Sequence, residues 1–365
     1  MKCKICGNQD ENLFFEKKGE KVCRRCLQYR YPILHKREKV VDGLINLNYE
    51  LTKEQKDISF KLLELVKNNK NVLINAVCGA GKTEIIYESI IWGLKKGKRV
   101  GIAIPRKDVV EELYQRMKHD LVGISIVRVY GGQTINLEAD VIIFTTHQAY
   151  RYISCFDLLF VDEVDAFPFK GNKVLQSILN KCCLGSVVYM SATISKIKGC
   201  KTLFLNKRYH GYPIPVPRVI VCFNLKKKLR SLLLNLNSSL VIIIYVSSIN
   251  EGEKLFSFLV NVYGDKLTLI HSKIKNRDAI FEQIKKYQFK VVISTTVLER
   301  GITLKDAQII VFRANNDVFD VSTLIQISGR AGRKSDYPNG KVYFLSKSYC
   351  IKFKKVIKII KNANK

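Results

Sequence analysis

Two stretches of this sequence bring together residue types that handle phosphate. Ala76-Val-Cys-Gly-Ala-Gly-Lys-Thr83 follows an apolar run at Asn71–Asn75 and precedes a helical pattern. In that context consecutive backbone N–H groups and a helix N-terminus face an anion. Gly79 and Gly81 allow a tight turn around Ala80, Lys82 has the reach for the outer phosphates of ATP, and Thr83 offers its hydroxyl to magnesium. Ala76 stands where the strict pattern has glycine. Further on, Asp162-Glu163-Val-Asp165 comes directly after the apolar run Asp157–Val161. Carboxylates at the C-terminal end of a buried strand point into the crevice where ligands bind. Asp162 suits a magnesium ligand, and Glu163 suits a residue that orients or deprotonates an attacking water. The plain alternatives are a turn with incidental glycines and a solvated acidic loop. Two such signals in this order, each ending a strand, favour phosphoryl transfer from ATP.

A third group is made of cysteines. Cys3-Lys-Ile-Cys6 and Cys23-Arg-Arg-Cys26 are two C-x-x-C pairs sixteen residues apart, the spacing of a structural zinc site. Four thiolates close a tetrahedron and leave no open position, so the site is expected to be structural. A segment this short has no core of its own, and metal binding would supply its folding free energy. An iron–sulfur cluster is the alternative occupant. Lys4, Lys17, Lys18, Lys21, Arg24 and Arg25 surround the pairs, either as a phosphate-contacting surface or as a solvated face. The other seven of the eleven cysteines are scattered and read as small buried hydrophobes.

These residues need rigid elements behind them, and 365 residues with 47% hydrophobic content can build two medium domains. Apolar runs at Asn71–Asn75, Arg99–Ile104, Ser125–Val129, Val141–Thr145, Asp157–Val161 and Val187–Met190 read as buried parallel strands. Helical stretches such as Lys53–Lys67 and Lys107–Lys118 separate them. That rhythm predicts a doubly wound α/β lobe over residues 41–207, behind a zinc module at 1–40 that includes a basic connector, His35–Lys39. Residues 208–218 hold three of the seven prolines and read as a stiff linker. A second lobe, 219–365, has strands expected near Leu240–Val246, Leu267–Ile270, Lys290–Ser294, Gln308–Phe312 and Lys341–Phe344. The tail from Lys347 reads as a helix docked on that lobe, with membrane or nucleic-acid binding as alternatives. The net charge of +30, from 62 Lys and Arg against 32 Asp and Glu, suits a polyanionic partner, although a lysine-rich composition alone would also produce it. No run is long enough to span a bilayer, and the first residues lack the apolar core of a secretory signal, so a cytoplasmic protein is expected.

The motifs together resemble the superfamily-two helicases. Leu51-Thr-Lys-Glu-Gln55 is similar to the segment whose glutamine reads adenine, here Gln55, and Ser191-Ala-Thr193 to the element that couples hydrolysis to lobe motion. Thr295-Thr-Val-Leu-Glu-Arg-Gly-Ile-Thr303 and Gln326-Ile-Ser-Gly-Arg-Ala-Gly-Arg333 look like the second-lobe motifs. Within that group the chain resembles the ComFA family of competence ATPases through Thr145-Thr-His-Gln148, Asp162-Glu-Val-Asp-Ala-Phe-Pro168 and Leu298-Glu-Arg-Gly-Ile-Thr303, and through its leading four-cysteine module. The replication-restart helicase PriA shares the motor motifs but carries its zinc cysteines in its second half.

The resemblance implies two RecA-like lobes with ATP between them, a catalytic set of Lys82, Asp162, Glu163, Arg330 and Arg333, and Arg333 as the arginine finger. It implies a nucleic-acid track of Pro105, Arg106, Gly131, Gly132, Thr145, Thr146 and His147 on the first lobe, with Thr295 and Thr296 on the second. His147 can also be read as a structural histidine. The implied activity is ATP-driven translocation on single-stranded DNA during DNA uptake. It would occur at the inner face of the membrane, beside a ComFC-like companion and a membrane DNA channel, with a homo-oligomer as an option. The alternatives are a DNA or RNA helicase of replication-restart type and a nucleotide-switched DNA-binding scaffold.

Overall fold

The structure, a computed structural model, describes all residues except 1, 4–5, 18, 30–38, 166–170, 237–239, 275, 296–306, 333–339 and 365. Contact density divides the chain into two units, Met1–Ala76 with Gly81–Leu205, and Val77–Ala80 with Asn206–Lys365.

The first unit begins with an antiparallel hairpin of β1 (Phe14–Lys17) and β2 (Glu20–Cys23), turned at Gly19 with φ +78°. A short strand, β3 (Leu44–Ile45), leads to α1 (Lys53–Lys67) and β4 (Val72–Ala76). The phosphate-loop segment then opens α2 (Lys82–Ile85), which runs on through Ile86 in helical conformation to α3 (Tyr87–Lys95). After these come β5 (Val100–Ile104), α4 (Lys107–Asp120), β6 (Leu121–Val122), β7 (Ile126–Val129), β8 (Val141–Thr145) and β9 (Phe156–Val161). The unit closes with α5 (Lys173–Cys182), β10 (Cys183–Ser191) and β11 (Lys201–Leu205). Seven of these strands form one sheet in the order β11-β4-β10-β9-β5-β8-β7. Every pairing in it is parallel. Helices cover parallel sheets on both faces, which is why β5 and β8 are buried at every position and read as unbroken apolar runs. Phe144 and Phe156 stack at 5.5 Å beneath this sheet, and the Phe156 ring lies where a side chain at Gly101 would stand. β3 pairs antiparallel with β6 and ties the segment ahead of α1 to the lobe.

The second unit repeats the theme with β12 (Arg218–Val221), α6 (Leu225–Asn235), β13 (Ile242–Tyr245), α7 (Ile249–Tyr263), β14 (Leu267–Ile270), α8 (Arg277–Lys285) and β15 (Val291–Ser294). It ends with β16 (Gln308–Val311), α9 (Val321–Ser328), β17 (Val342–Ser346) and α10 (Ile351–Ala363). Its sheet runs β12-β17-β16-β13-β15-β14, again wholly parallel. Two tandem doubly wound lobes are therefore present, as the strand–helix rhythm predicts. Several short strands are absent from the sequence reading. β1 and β2 belong to the cysteine module, β3 and β6 form a minimal ladder, and β11 is a short edge strand with Phe204 54% exposed. β12, another edge strand, starts at Arg218, the last residue of the stretch read as linker. α10 buries Phe353, Val356 and Ile360, packs against α9, and leaves Lys354, Lys355, Lys358 and Lys361 in solvent. Among the described residues no helix is long and apolar enough to cross a membrane.

Candidate active site and metal centre

The phosphate loop leaves the buried end of β4 and turns at Gly79 (φ +83°) and Gly81 (φ +78°), a left-handed conformation open to glycine at little cost. Gly81 is the N-cap of α2, so Lys82 and Thr83 form the first turn. Gln55 lies against Gly81 so closely that a Cβ there would collide with its amide. The glutamine is held by the start of α1. Its Oε1 accepts the Thr52 N–H at 2.9 Å, and Thr52 Oγ1 accepts the Gln55 N–H at 3.2 Å, a reciprocal capping box.

β4 and β9 flank β10 in the sheet, so the residues after them meet above its C-terminal edge. Lys82 Nζ is 3.4 Å from Asp162 Oδ1, and the same oxygen accepts the Glu163 N–H at 2.8 Å. Glu163 has φ +53°, uncommon for a residue with a side chain and frequent where function fixes the backbone. Asp165, 5% exposed, accepts the Thr193 hydroxyl at 2.6 Å, while Ser191 Oγ accepts the N–H groups of Thr193 and Ile194, both at 3.0 Å. The acidic motif and the Ser-Ala-Thr element thus form one hydrogen-bonded unit. Arg116 on α4 reaches Thr83 Oγ1 at 3.4 Å and Glu84 at 3.5 Å, and the Tyr49 hydroxyl donates to Glu84 at 3.1 Å. Burial and the Glu84 charge push the Tyr49 phenol well above its ordinary range. Arg116 and Tyr49 escape sequence reasoning, because Arg116 is one of many charges on an amphipathic helix and Tyr49 lies in an irregular stretch.

Arg330 follows α9 and is 9% exposed. Arg333 lies outside the described residues, as do Thr296 and most of the motif after it. On the proposed track, Arg106, next to Pro105, occupies the N-cap position of α4 without a side-chain cap bond, and its guanidinium donates to Asp108 at 2.9 and 3.1 Å. Gly131 and Gly132 form an exposed turn after β7. Thr145 and Thr146 are buried at the end of β8, with the Thr146 hydroxyl unpartnered, and His147 is exposed. Thr295 follows β15 and donates its N–H to Ile270 O at 3.3 Å. The second unit also carries a cavity of about 750 Å³ where β13, β16 and β17 end, lined by Ser247, Ser248, Lys226, Lys254, Lys347 and Arg313, with Glu251 among them paired to Arg313 at 3.2 Å. Its sequence signal is Ser247-Ser248 between an apolar strand and α7, the same strand–polar–helix context as the phosphate loop.

The four cysteine sulfurs of the N-terminal module all lie within 4.8 Å of one another, with Cys3–Cys26 at 3.5 Å and Cys6–Cys23 at 3.8 Å. A tetrahedral Zn–S site has sulfurs about 3.8 Å apart, so the donor set fits a metal of that kind. Burial pushes the Cys6 and Cys26 thiols up, a cost that a bound cation would reverse. Asn8 donates to Cys23 Sγ at 3.6 Å, a further contact that orients a ligand. Phe14 and Val174 of α5 pack against the cluster, and Gly7 sits against Ser177.

Two family models match the chain: "Type III restriction enzyme, res subunit" over residues 48–196 and "Helicase conserved C-terminal domain" over 224–335. The competence protein ComFA of Bacillus subtilis is 32% identical over 94% of this chain and 81% of its own length. ComFA of Streptococcus pneumoniae is 31% identical over the whole of this chain and 90% of its own. The chain belongs to the ComFA family. Among solved structures, Saccharomyces cerevisiae Dbp5 bound to RNA and ADP BeF3 has a TM-score of 0.60 at 16% identity, covering 86% of this chain and 92% of that one, a likeness of fold. As a ComFA-family protein with these motifs in place, the chain is a nucleic-acid-dependent ATPase, a motor of helicase type.

Proposed function

We propose that this ComFA-family motor hydrolyses magnesium-bound ATP to move along single-stranded DNA, and that it pulls DNA inward during natural competence. The observation that carries the ATP half is the meeting of Lys82 with Asp162, with Glu163 held beside them. Gly79, Ala80, Gly81, Lys82 and Thr83 bind the phosphates, and Gln55 reads the adenine. Thr83 and Asp162 are hard oxygen donors suited to magnesium, which would offset charge on the phosphates. Glu163 orients the attacking water, and Arg330 and Arg333 stabilise charge on the transferring phosphoryl group. The four cysteines hold zinc as a structural ion.

The DNA half is supported by the ComFA relatives and by a formal charge of +30. Pro105, Arg106, Gly131, Gly132, Thr145, Thr146, His147, Thr295 and Thr296 contact the strand. Backbone amides and small hydroxyls bind phosphates without reading bases, so sequence preference is expected to be weak. The cavity beside Ser248, with Lys226, Lys254 and Lys347 in its lining, is a further phosphate contact on the second unit. We place the protein at the cytoplasmic face of the membrane, with a ComFC-like companion and the DNA channel as partners.

The test is steady-state ATP hydrolysis with single-stranded DNA, duplex DNA and RNA across a salt series. Stimulation by single-stranded DNA that fades as salt rises is the expected outcome, because each phosphate contact releases counterions. Equal stimulation by RNA or by duplex would displace the DNA-uptake reading and leave the ATPase in place.

A further inference from the structure

Arg208 is a buried cation to which no motif gives a role. It is 3% exposed, and its hydrogen bonds run to main-chain carbonyls. Nη1 donates to Ala331 O at 3.0 Å and Gly332 O at 2.6 Å, and Nη2 donates to Gly329 O at 3.0 Å. Nε is buried with no partner. The three acceptors lie just past the C-terminal end of α9, at the negative end of its dipole, while the helix's own Ile325, Ile327 and Ser328 carbonyls already accept the N–H groups of Gly329, Arg330 and Ala331. A planar guanidinium can span several carbonyls in a fixed fork, whereas an ammonium offers one point charge. Burying a cation without a carboxylate is costly, and burial draws this guanidinium below its ordinary pKa. The end of α9 is thus capped by its own following turn, without Arg208. What the buried fork adds is a single conformation for Gly329–Gly332, the loop that carries Arg330.

We propose that Arg208 is a positioning residue for hydrolysis, fixing the backbone on both sides of Arg330 so that this side chain is presented to the phosphoryl group in one geometry. The inference rests on the role of Arg330 proposed above. The Arg208 stem also lies about 3.8 Å from where a side chain at Gly79 would stand, but its hydrogen bonds go to the loop around Arg330. It acts through Arg330, and a misplacement of about 1 Å at such a group can cost about a hundredfold in rate.

The experiment is a double-mutant cycle in the full-length protein, with Arg208→Lys, Arg330→Ala and the pair. ATP hydrolysis is stimulated by an oligothymidylate and read well below each variant's melting temperature. Arg330→Ala is expected to lose about a thousandfold in kcat. Arg208→Lys should lose about a hundredfold in kcat with the KM for ATP within about twofold of wild type. In the Arg330→Ala background, Arg208→Lys should cost no more than about threefold, since what it positions is gone. Should Arg208→Lys fail to fold, Arg208→Gln, which keeps two N–H donors without the charge, takes the same measurements. Losses that multiply in the pair, or an Arg208 variant with wild-type kcat, overturn the proposal and leave Arg208 a structural residue. A wild-type kcat for Arg330→Ala instead overturns the role of Arg330, and the positioning role with it.

Discussion

At the scale of single residues, the acidic motif shows how one side chain serves several neighbours. Asp162 Oδ1 faces Lys82 and also accepts the Glu163 N–H, so the carboxylate sets the backbone that aims Glu163. Asp165 instead accepts the Thr193 hydroxyl, joining residues 28 apart in sequence. Lys82→Ala is expected to reduce ATP hydrolysis to background while the melting temperature holds, because Lys82 is half-buried and its pairing with Asp162 spans 3.4 Å. Steady-state ATPase and thermal melts of the variant check this, and retained activity would remove Lys82 from the site. Much of this chemistry is legible in sequence, because Gly79, Gly81, Lys82 and Thr83 are adjacent and Asp162 and Glu163 end an apolar run. Arg116 and Arg208 are not. Arg116 meets Thr83 across 33 residues and Arg208 meets Gly329 across 121, and no spacing rule joins a helix arginine or a linker arginine to a distant loop.

At the scale of elements, the strands are readable where burial on both faces leaves mostly Val, Ile, Leu and Phe, as in β5, β8 and β9. They are hard to read at sheet edges. β12 mixes exposed and half-buried residues over four positions, and β11 buries only Leu205 of its five, too little to stand out from a loop. The hairpin β1–β2 is as short, and its role is to present Cys23 toward Cys6 rather than to fill a core. Helix α1 illustrates how local chemistry and site geometry share residues. Thr52 caps α1, and the same capping box orients Gln55 against Gly81. Thr52→Ala should lower stability by about 1 kcal/mol and also weaken ATP binding, since Gln55 loses one of the bonds that hold it. Denaturant unfolding and the KM for ATP measure the two effects. A stability loss with an unchanged KM would separate the cap from the adenine contact.

At the scale of the molecule, the cysteine module is small, yet it is part of the first unit rather than a free appendage. Its sulfurs pack on Phe14 and on Val174 of α5. Replacing Cys3 and Cys6 by Ser should release one metal ion per chain and loosen the N-terminal segment, while ATP hydrolysis in the absence of DNA survives. Metal analysis and limited proteolysis read the two results. Unchanged metal content in that variant would end the four-cysteine assignment. The module is also where sequence and structure agree in different terms: spacing supplies the four ligands, and only the folded chain supplies the face on which they rest.

That face has a consequence in time. Synthesis delivers Cys3, Cys6, Cys23 and Cys26 early, but Val174 and Ser177 emerge only when most of the first lobe has been made. At the usual pace of translation the interval is on the order of ten seconds or more. Throughout it the metal, and not the lobe, must hold the four sulfurs together. A nascent chain that meets oxidant before it meets its metal would lock those thiols into disulfides, and α5 would arrive to find no surface to dock against.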